Sequence, residues 1–536
     1  MDSRRIIKRL VRFIYEYWIL AVVLVFALYI WSLVFDAAVV DYFDTARWNT
    51  RAVWLGDGIY EIFGYTVHYQ LEGYSDYSFF YVHWGHNMLK GVMPYCEDFG
   101  SLLRDGVLNQ NGLYIFPPFT AFFYALGTLL PFGDIGIAYL IVALAFLTVF
   151  PVYGLARHFS GNRHVGEIAA LTYLLNPLVL YHIVFCWFNP APFIFFFMSG
   201  FYFLVRGRRH VGTLLIVVAA LFKQTAWFLG IPLVVYLIVR PRPAETSPSA
   251  SPELESYELR ATLARWSKKV IGYFDPRGFA ISTIMVVSFV GAVMFPFLLA
   301  QKNTLLFMGL AAGGYPLESF TELPPYTSPM RLQVLPVVAG FPDLAQILDL
   351  LVYNRYLLVI ATVVVACVML IEPKREGQET GYLRRILFLA MILMLLVNLT
   401  GPRGVYKYYF TLFAPFFSIF SSRRMIERET SETGPTLSML VVPFLLSAAI
   451  LLPGRNVYLF AVLLIFVGFL LSNQVARFWT IVTTPVRYVA RVLRDRTPHR
   501  LEDLKRRWDA FHDWLYTDIS RGDDGAQQPA EGEAGS

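Results

Sequence analysis

Between Tyr17 and Phe35 the chain places nineteen residues in a row without a charged side chain. A run of that length spans the roughly 30 Å hydrocarbon core of a bilayer as a helix. Further apolar segments lie at 136–156, 165–184, 194–205, 211–226, 228–240, 278–299, 354–371, 386–399, 408–421, 437–452 and 457–473. Charged residues make up 16% of the chain, against about 25% in soluble domains. The expectation is an all-α, polytopic membrane protein of about twelve transmembrane helices. Several segments are shorter than the roughly 20 residues a span needs. Short helices at membrane depth are tolerated only beside protein or a water-filled cavity, so a cavity is expected. Arg4, Arg5, Lys8, Arg9 and Arg12 precede the first run, and no small-x-small cleavage site follows it. It reads as a retained first span, not a signal peptide.

A further apolar stretch, 114–131, opens with YIFPPF, and Pro117 and Pro118 suit a helix start. Charge decides whether it crosses. If it does not, the segments 1–16, 157–164, 206–210, 240–277, 372–385, 422–428 and 474–536 share one side. They then hold 34 of the 45 Lys and Arg residues, against 10 outside and Lys223 within the membrane. The positive-inside rule therefore predicts a re-entrant or interfacial helix at 114–131. It puts both termini in the cytoplasm of a multi-pass cell-membrane protein.

The expected organisation is a transmembrane domain over 1–473 and a basic, amphipathic cytoplasmic tail over 474–536 with a disordered end. The membrane domain carries a first outward loop at 36–113, expected to be partly helical, and a second at 300–353. Loops this long are usually functional. The inward segment 240–277 begins as a Pro- and Ser-rich linker and continues as a basic stretch that, like the tail, suits anionic inner-face lipid. Cys96, Cys186 and Cys367 are too scattered for a zinc site or disulfide framework. Nothing suggests a nucleic-acid partner.

Three stretches carry candidate chemistry. The first, YSDYSFFYVHWGHNMLKGVMPYCEDF at 74–99, has Asp76 ahead of an aromatic helix, a GVMPY turn and then Glu97 and Asp98. The second runs from Asn176 to Pro232 and contains Asn189, a basic turn at 206–210, Lys223 and Thr225. The third is GPRGVYKYYF at 401–410, with Arg403, Lys407 and Tyr408. In order and spacing these resemble the GT-C superfamily of membrane glycosyltransferases, in particular mannosyl- and arabinofuranosyltransferases. The similarity covers about 400 residues. CEDF departs by one residue from the commoner spacing, which touches the alignment of Asp98 and not that of Asp76.

The resemblance implies a polyprenyl-phosphate-linked sugar donor, such as a dolichol phosphate sugar, and a lipid, glycan or protein acceptor at the cell envelope. Asp76, or Asp98 in its place, would be the general base that takes the acceptor proton during a single inverting displacement. The leaving lipid phosphate needs cations, and Arg403, Lys407 and Lys223 are the candidates. Tyr81, His83, His86, Glu97 and Tyr408 are candidate substrate contacts. No metal ligand set is assigned; a divalent cation is the one cofactor left open.

Each assignment has a plainer rival. Acidic residues on a wet loop are mostly solvated. His83 and His86, one turn apart, suit interfacial packing better than a metal. Lys223 could snorkel to an interface, although an ionisable residue in a membrane is a functional hypothesis by default. A lipid or solute transporter or flippase is the rival class, and a non-catalytic membrane subunit of the same fold is the third. The sequence shows no inverted repeat or matched pair of broken helices of the kind transporters use.

Overall fold

The computed structural model describes residues 3–44, 56–62, 64–71, 76–95, 102–104, 107–109, 114, 116–239, 274–300, 331–353, 356–371, 379–400, 406–421, 425, 434–470, 505–511 and 513. The chain divides into two compact units, one of residues 1–22 with 467–536 and one of residues 23–466. In the first, Tyr15 packs its ring 5.4 Å from Trp508 and 6.2 Å from Phe511. Arg12 and Glu16, one helical turn apart, pair at 3.0 Å.

The first helix, α1 (Ser3–Asp44), extends well beyond the apolar run at both ends. Its inner stripe of Ala27, Trp31, Phe35, Ala38 and Tyr42 is buried. These positions recur every three to four residues, so they share one face. The opposite face exposes Val25, Leu28, Tyr29 and Val40, as lipid contact requires.

The segment 36–113 contains more strand than the sequence suggested. Strands β1 (Gly56–Ile62) and β2 (Tyr65–Leu71) pair antiparallel, with Gly64 in the left-handed region at φ 80°. Alternation in GDGIYEI and YTVHYQL, with a glycine turn between, is the local cause. A π-helical turn (Tyr77–Tyr81) then leads into α2 (Val82–Leu89), and β3 (Leu102–Arg104) pairs with β4 (Val107–Asn109).

Helix α3 (Pro118–Thr128) follows, with Pro118 in its first turn. It is eleven residues long, about 16 Å at 1.5 Å per residue, too short to cross a bilayer. Helices α4 (Gly136–Leu147) and α5 (Val149–Ser160) run on through Thr148 as one apolar rod. Helix α6 (Arg163–Leu174) breaks at Asn176-Pro177 and resumes as a π-helical turn (Val179–Phe185), bent by 56°. Then come α7 (Pro190–Val205), α8 (Arg209–Ala220), a 3-10 turn (Gln224–Leu229) and α9 (Gly230–Ile238). Gly200 and Gly212 sit at the α7–α8 crossing, where a Cβ on Gly200 would come within 2.9 Å of the Gly212 carbonyl. Small residues let the two backbones approach.

Helix α10 (Pro276–Ala300) precedes α11 (Val334–Val338) and α12 (Pro342–Tyr353), which exposes Leu344, Ile347 and Leu350. The last elements are α13 (Tyr356–Ile371), α14 (Glu379–Leu399), a 3-10 turn (Lys407–Phe413), α15 (Ala414–Ile419), α16 (Leu437–Ala448) and α17 (Arg455–Leu470).

Among the described residues four helices are long and apolar enough to cross a membrane, or six if each bent pair counts as one span. The chain is thus a predominantly helical membrane protein. Helical structure occurs at each of the twelve apolar segments, yet many are short or interrupted, so the count of twelve spans stays an expectation. Proline marks two of the interruptions: Pro177 follows the α6 break, and Pro415 opens α15.

Candidate functional site

The site is assembled around Asp76. This residue occupies the position just before the π-helical turn, where a side chain would ordinarily cap exposed N–H groups. Its carboxylate makes no such capping hydrogen bond. The next residue anchors it: the Tyr77 hydroxyl donates to the Asp134 carbonyl at 2.5 Å and accepts from the Ala138 N–H at 3.0 Å. The Tyr77 ring is buried edge-on against Trp187, centroids 4.8 Å apart, and against Tyr42 at 5.8 Å. Asp76 is therefore positioned through its neighbour, which leaves its carboxylate available for chemistry. Burial pushes that carboxyl up to about 6. Loss of hydration disfavours the charged form, and a base poised nearer neutrality results.

Tyrosines from three separate segments lie within reach of its charge. Tyr81 stacks on Tyr124 with centroids 4.8 Å apart and planes at 12°. The charge of Asp76 acts on the hydroxyls of Tyr81, Tyr124 and Tyr408. Burial and these neighbours hold the Tyr81 phenol well above its usual range, so it stays a neutral hydrogen-bonding group. Asn189, at the start of α7, donates its amide to the Tyr124 hydroxyl at 3.0 Å. Thus the segment that opens at Asp76, the α3 helix, the α7 start and the 407–413 turn converge.

Close packing fixes the α2–α3 contact. A Cβ at Gly85 would fall 2.9 Å from the Tyr124 carbonyl, so only glycine admits this approach. Trp187, two residues before Asn189, adopts φ 57° while fully buried, and Tyr95, at the end of the GVMPY turn, adopts φ 73°. Non-glycine residues in the left-handed region cost of order 1–3 kcal/mol and gather at functional sites. Both π-helical turns border this region, and such turns often do so at functional sites.

The cations separate into two kinds. Lys223 lies in the break between α8 and the following 3-10 turn, partly buried, with its ammonium 4.6 Å above the Tyr409 ring. Tyr409 packs edge-on against Tyr408 at 4.5 Å, so Lys223 belongs to the Asp76 neighbourhood. Lys407 is wholly buried. Its ammonium donates to the carbonyls of Ile450 at 3.0 Å and Leu452 at 2.7 Å, and lies 5.5 Å from the Tyr458 ring. This arrangement fastens the 407–413 turn to the α16–α17 connection. The sequence missed Arg455, whose guanidinium lies 4.6 Å over Tyr406.

The histidines of α2 have separate partners. His83 faces Asn87 at 3.1 Å, and His86, exposed, approaches Asp134 at 3.4 Å. Among the described residues no three His, Cys, Asp or Glu side chains gather as a metal set. Glu97, Asp98 and Arg403 lie outside the described residues.

Sequence reasoning also missed Tyr124 as part of this cluster. Its partner Asn189 is 65 residues away in the chain, so only the fold brings the pair together. No curated protein and no solved structure matches the chain. Residues 133–240, from the start of α4 through α9, match the family described as Alpha-(1->6)-mannopyranosyltransferase, N-terminal domain. The matched stretch contains Asn189 and Lys223, and this likeness supports glycosyltransferase activity of the mannosyl class.

Proposed function

We propose that this protein is a membrane mannosyltransferase of the GT-C type that takes its sugar from a polyprenyl-phosphate donor at the outer membrane face. The observation that carries the reading is the uncapped carboxylate of Asp76 among Tyr81, Tyr124 and Tyr408, built partly by the stretch that matches the mannopyranosyltransferase family.

A lipid or glycan hydroxyl enters beside Asp76. The carboxylate accepts its proton while the hydroxyl oxygen attacks the anomeric carbon. The bond from that carbon to the phosphate oxygen breaks, and the lipid phosphate departs with the electron pair. Phosphate leaves already charged, so cations replace a general acid. Lys223 and Arg403 hold that phosphate, while Lys407 holds the turn that bears Tyr408. Tyr81, Tyr124 and Asn189 position the base and line the acceptor path. One displacement inverts the anomeric centre, so an α-(1→6) product requires a β-linked donor.

The test is a donor panel. Purified protein is incubated with polyprenyl-phosphate mannose, arabinofuranose and glucose and with extracted membrane lipids. Transfer from the mannose donor alone, to a 6-hydroxyl, is expected. Transfer of another sugar in its place, or movement of intact lipid across vesicles without transfer, contradicts the reading.

A further inference from the structure

The β1–β2 hairpin carries an aromatic face. Gly58 pairs with Tyr69, Tyr60 with Val67 and Ile62 with Tyr65. Cross-strand partners and alternate residues lie on the same side of a ribbon, so Tyr60, Tyr65, Val67 and Tyr69 share one face. Tyr65 is 77% exposed and Tyr60 60%. The rings of Tyr60 and Tyr69 stack at 5.1 Å with planes at 27°. A Cβ on Gly58 would fall 2.6 Å from the Tyr69 ring, so that ring lies over bare glycine backbone. Aromatic rings laid over a cross-strand glycine are a recurrent way to hold a ribbon.

Two links tie the base of this hairpin to the candidate site. Leu71, its last residue, precedes Asp76 by five positions, a reach of at most about 18 Å. Gln70 accepts from the Gly454 N–H through its side-chain oxygen at 3.1 Å. Gly454 lies in the α16–α17 connection, whose Ile450 and Leu452 carbonyls accept from the Lys407 ammonium. The hairpin is thus fastened to the same connection as the turn that bears Tyr408.

A two-stranded ribbon is marginally stable by itself, and exposed apolar groups gathered on one face mark an interaction surface. The chemistry of the ribbon selects the partner. Exposed Glu61, Thr66 and His68 alternate with the rings along the same two strands. Sinking the ribbon into a bilayer would carry a carboxylate into hydrocarbon. A sugar chain needs this mixture instead: its C–H faces pack on ring faces, and its hydroxyls donate to and accept from polar side chains. Tyr65 to Tyr69 spans about 13 Å of strand, longer than one sugar ring.

We propose that the aromatic face of the β1–β2 hairpin binds the saccharide chain of the acceptor, with Tyr60 and Tyr65 packed against its sugar rings, and delivers the chain's end toward Asp76. This rests on the transferase reading above and names its acceptor as a neutral oligosaccharide.

Ligand-observed NMR titration of the full chain in detergent with α-(1→6)-mannotetraose, no donor present, tests this. Wild type should bind the tetrasaccharide at least about tenfold more tightly than mannose. Tyr60→Ala and Tyr65→Ala should each weaken it at least about fivefold with unchanged melting, while Tyr60→Trp, which keeps a ring face, should stay within about twofold. Absence of binding by wild type overturns the proposal, as does equal affinity for mannose or unchanged binding in both alanine variants. Because no transfer step is read, these results stand apart from the donor panel: binding that depends on Tyr60 and Tyr65 in a protein that transfers no sugar supports the site and removes the transferase reading. A fluorophore on Tyr65→Cys in nanodiscs, with Cys96, Cys186 and Cys367 replaced, should be insensitive to spin-labelled lipid; quenching would place the face in the bilayer and overturn the proposal.

Discussion

Replacing Lys407 with methionine separates a structural cation from a ligand-binding one. The ammonium donates to two carbonyls, Ile450 and Leu452, and is fully buried. A hydrogen bond to a charged group contributes about 1.5–3 kcal/mol, and an orphaned buried acceptor costs about 1–3 kcal/mol. Methionine keeps most of the volume but leaves both carbonyls without this donor, so a loss of roughly 2–6 kcal/mol is expected. In detergent, Lys407→Met should unfold well before wild type in a thermal scan followed by tryptophan fluorescence. Lys223→Met removes a contact over the Tyr409 ring, about 0.5–2 kcal/mol. It should keep its stability and bind the donor at least about tenfold more weakly. If Lys407→Met melts with wild type and loses donor binding, the ammonium serves the ligand and the reasoning fails.

Three further outcomes follow from the site. With Asp76 pushed up to about 6, the active carboxylate form is lost below that pH. kcat/KM should therefore fall about tenfold per unit below pH 6 and level off above it; a flat profile from pH 5 to 8 would exclude a base of this kind. Gly85→Ala forces a Cβ against the Tyr124 carbonyl, and overpacking of this sort costs about 1–3 kcal/mol. Turnover should drop with the α2–α3 contact, and a variant as active and stable as wild type contradicts the packing argument. A single cysteine at Arg163, with Cys96, Cys186 and Cys367 replaced, should label only after permeabilisation; labelling from outside would reverse the proposed topology.

The sequence displayed the apolar helices because burial in lipid leaves one-dimensional runs free of charge. It singled out Asp76 through the resemblance carried by the aromatic stretch that the residue opens. The start of α3 was legible too, from its double proline. What it hid is the long-range pairing. Lys407 looked like an outward charge because its carbonyl partners lie 43 and 45 residues further on. His83 and His86 looked like neighbours on one turn, yet His86 faces Asp134, 48 residues away. The β1–β2 hairpin was written in local alternation, but aromatic density in the loop read equally as helix. Bent spans were also hidden, since hydropathy does not register an Asn-Pro break.

The central claim is that the Asp76 carboxylate takes the acceptor proton. Its most direct test is single-turnover transfer by Asp76→Asn with donor already bound. Asparagine keeps the shape and loses the proton acceptor, and a positioned base contributes about 10²–10⁴-fold. The account predicts a folded variant with wild-type donor affinity whose transfer step is at least about a hundredfold slower, while Asp98→Asn stays within about tenfold of wild type. Near-normal transfer by Asp76→Asn, with or without a dead Asp98→Asn, contradicts it.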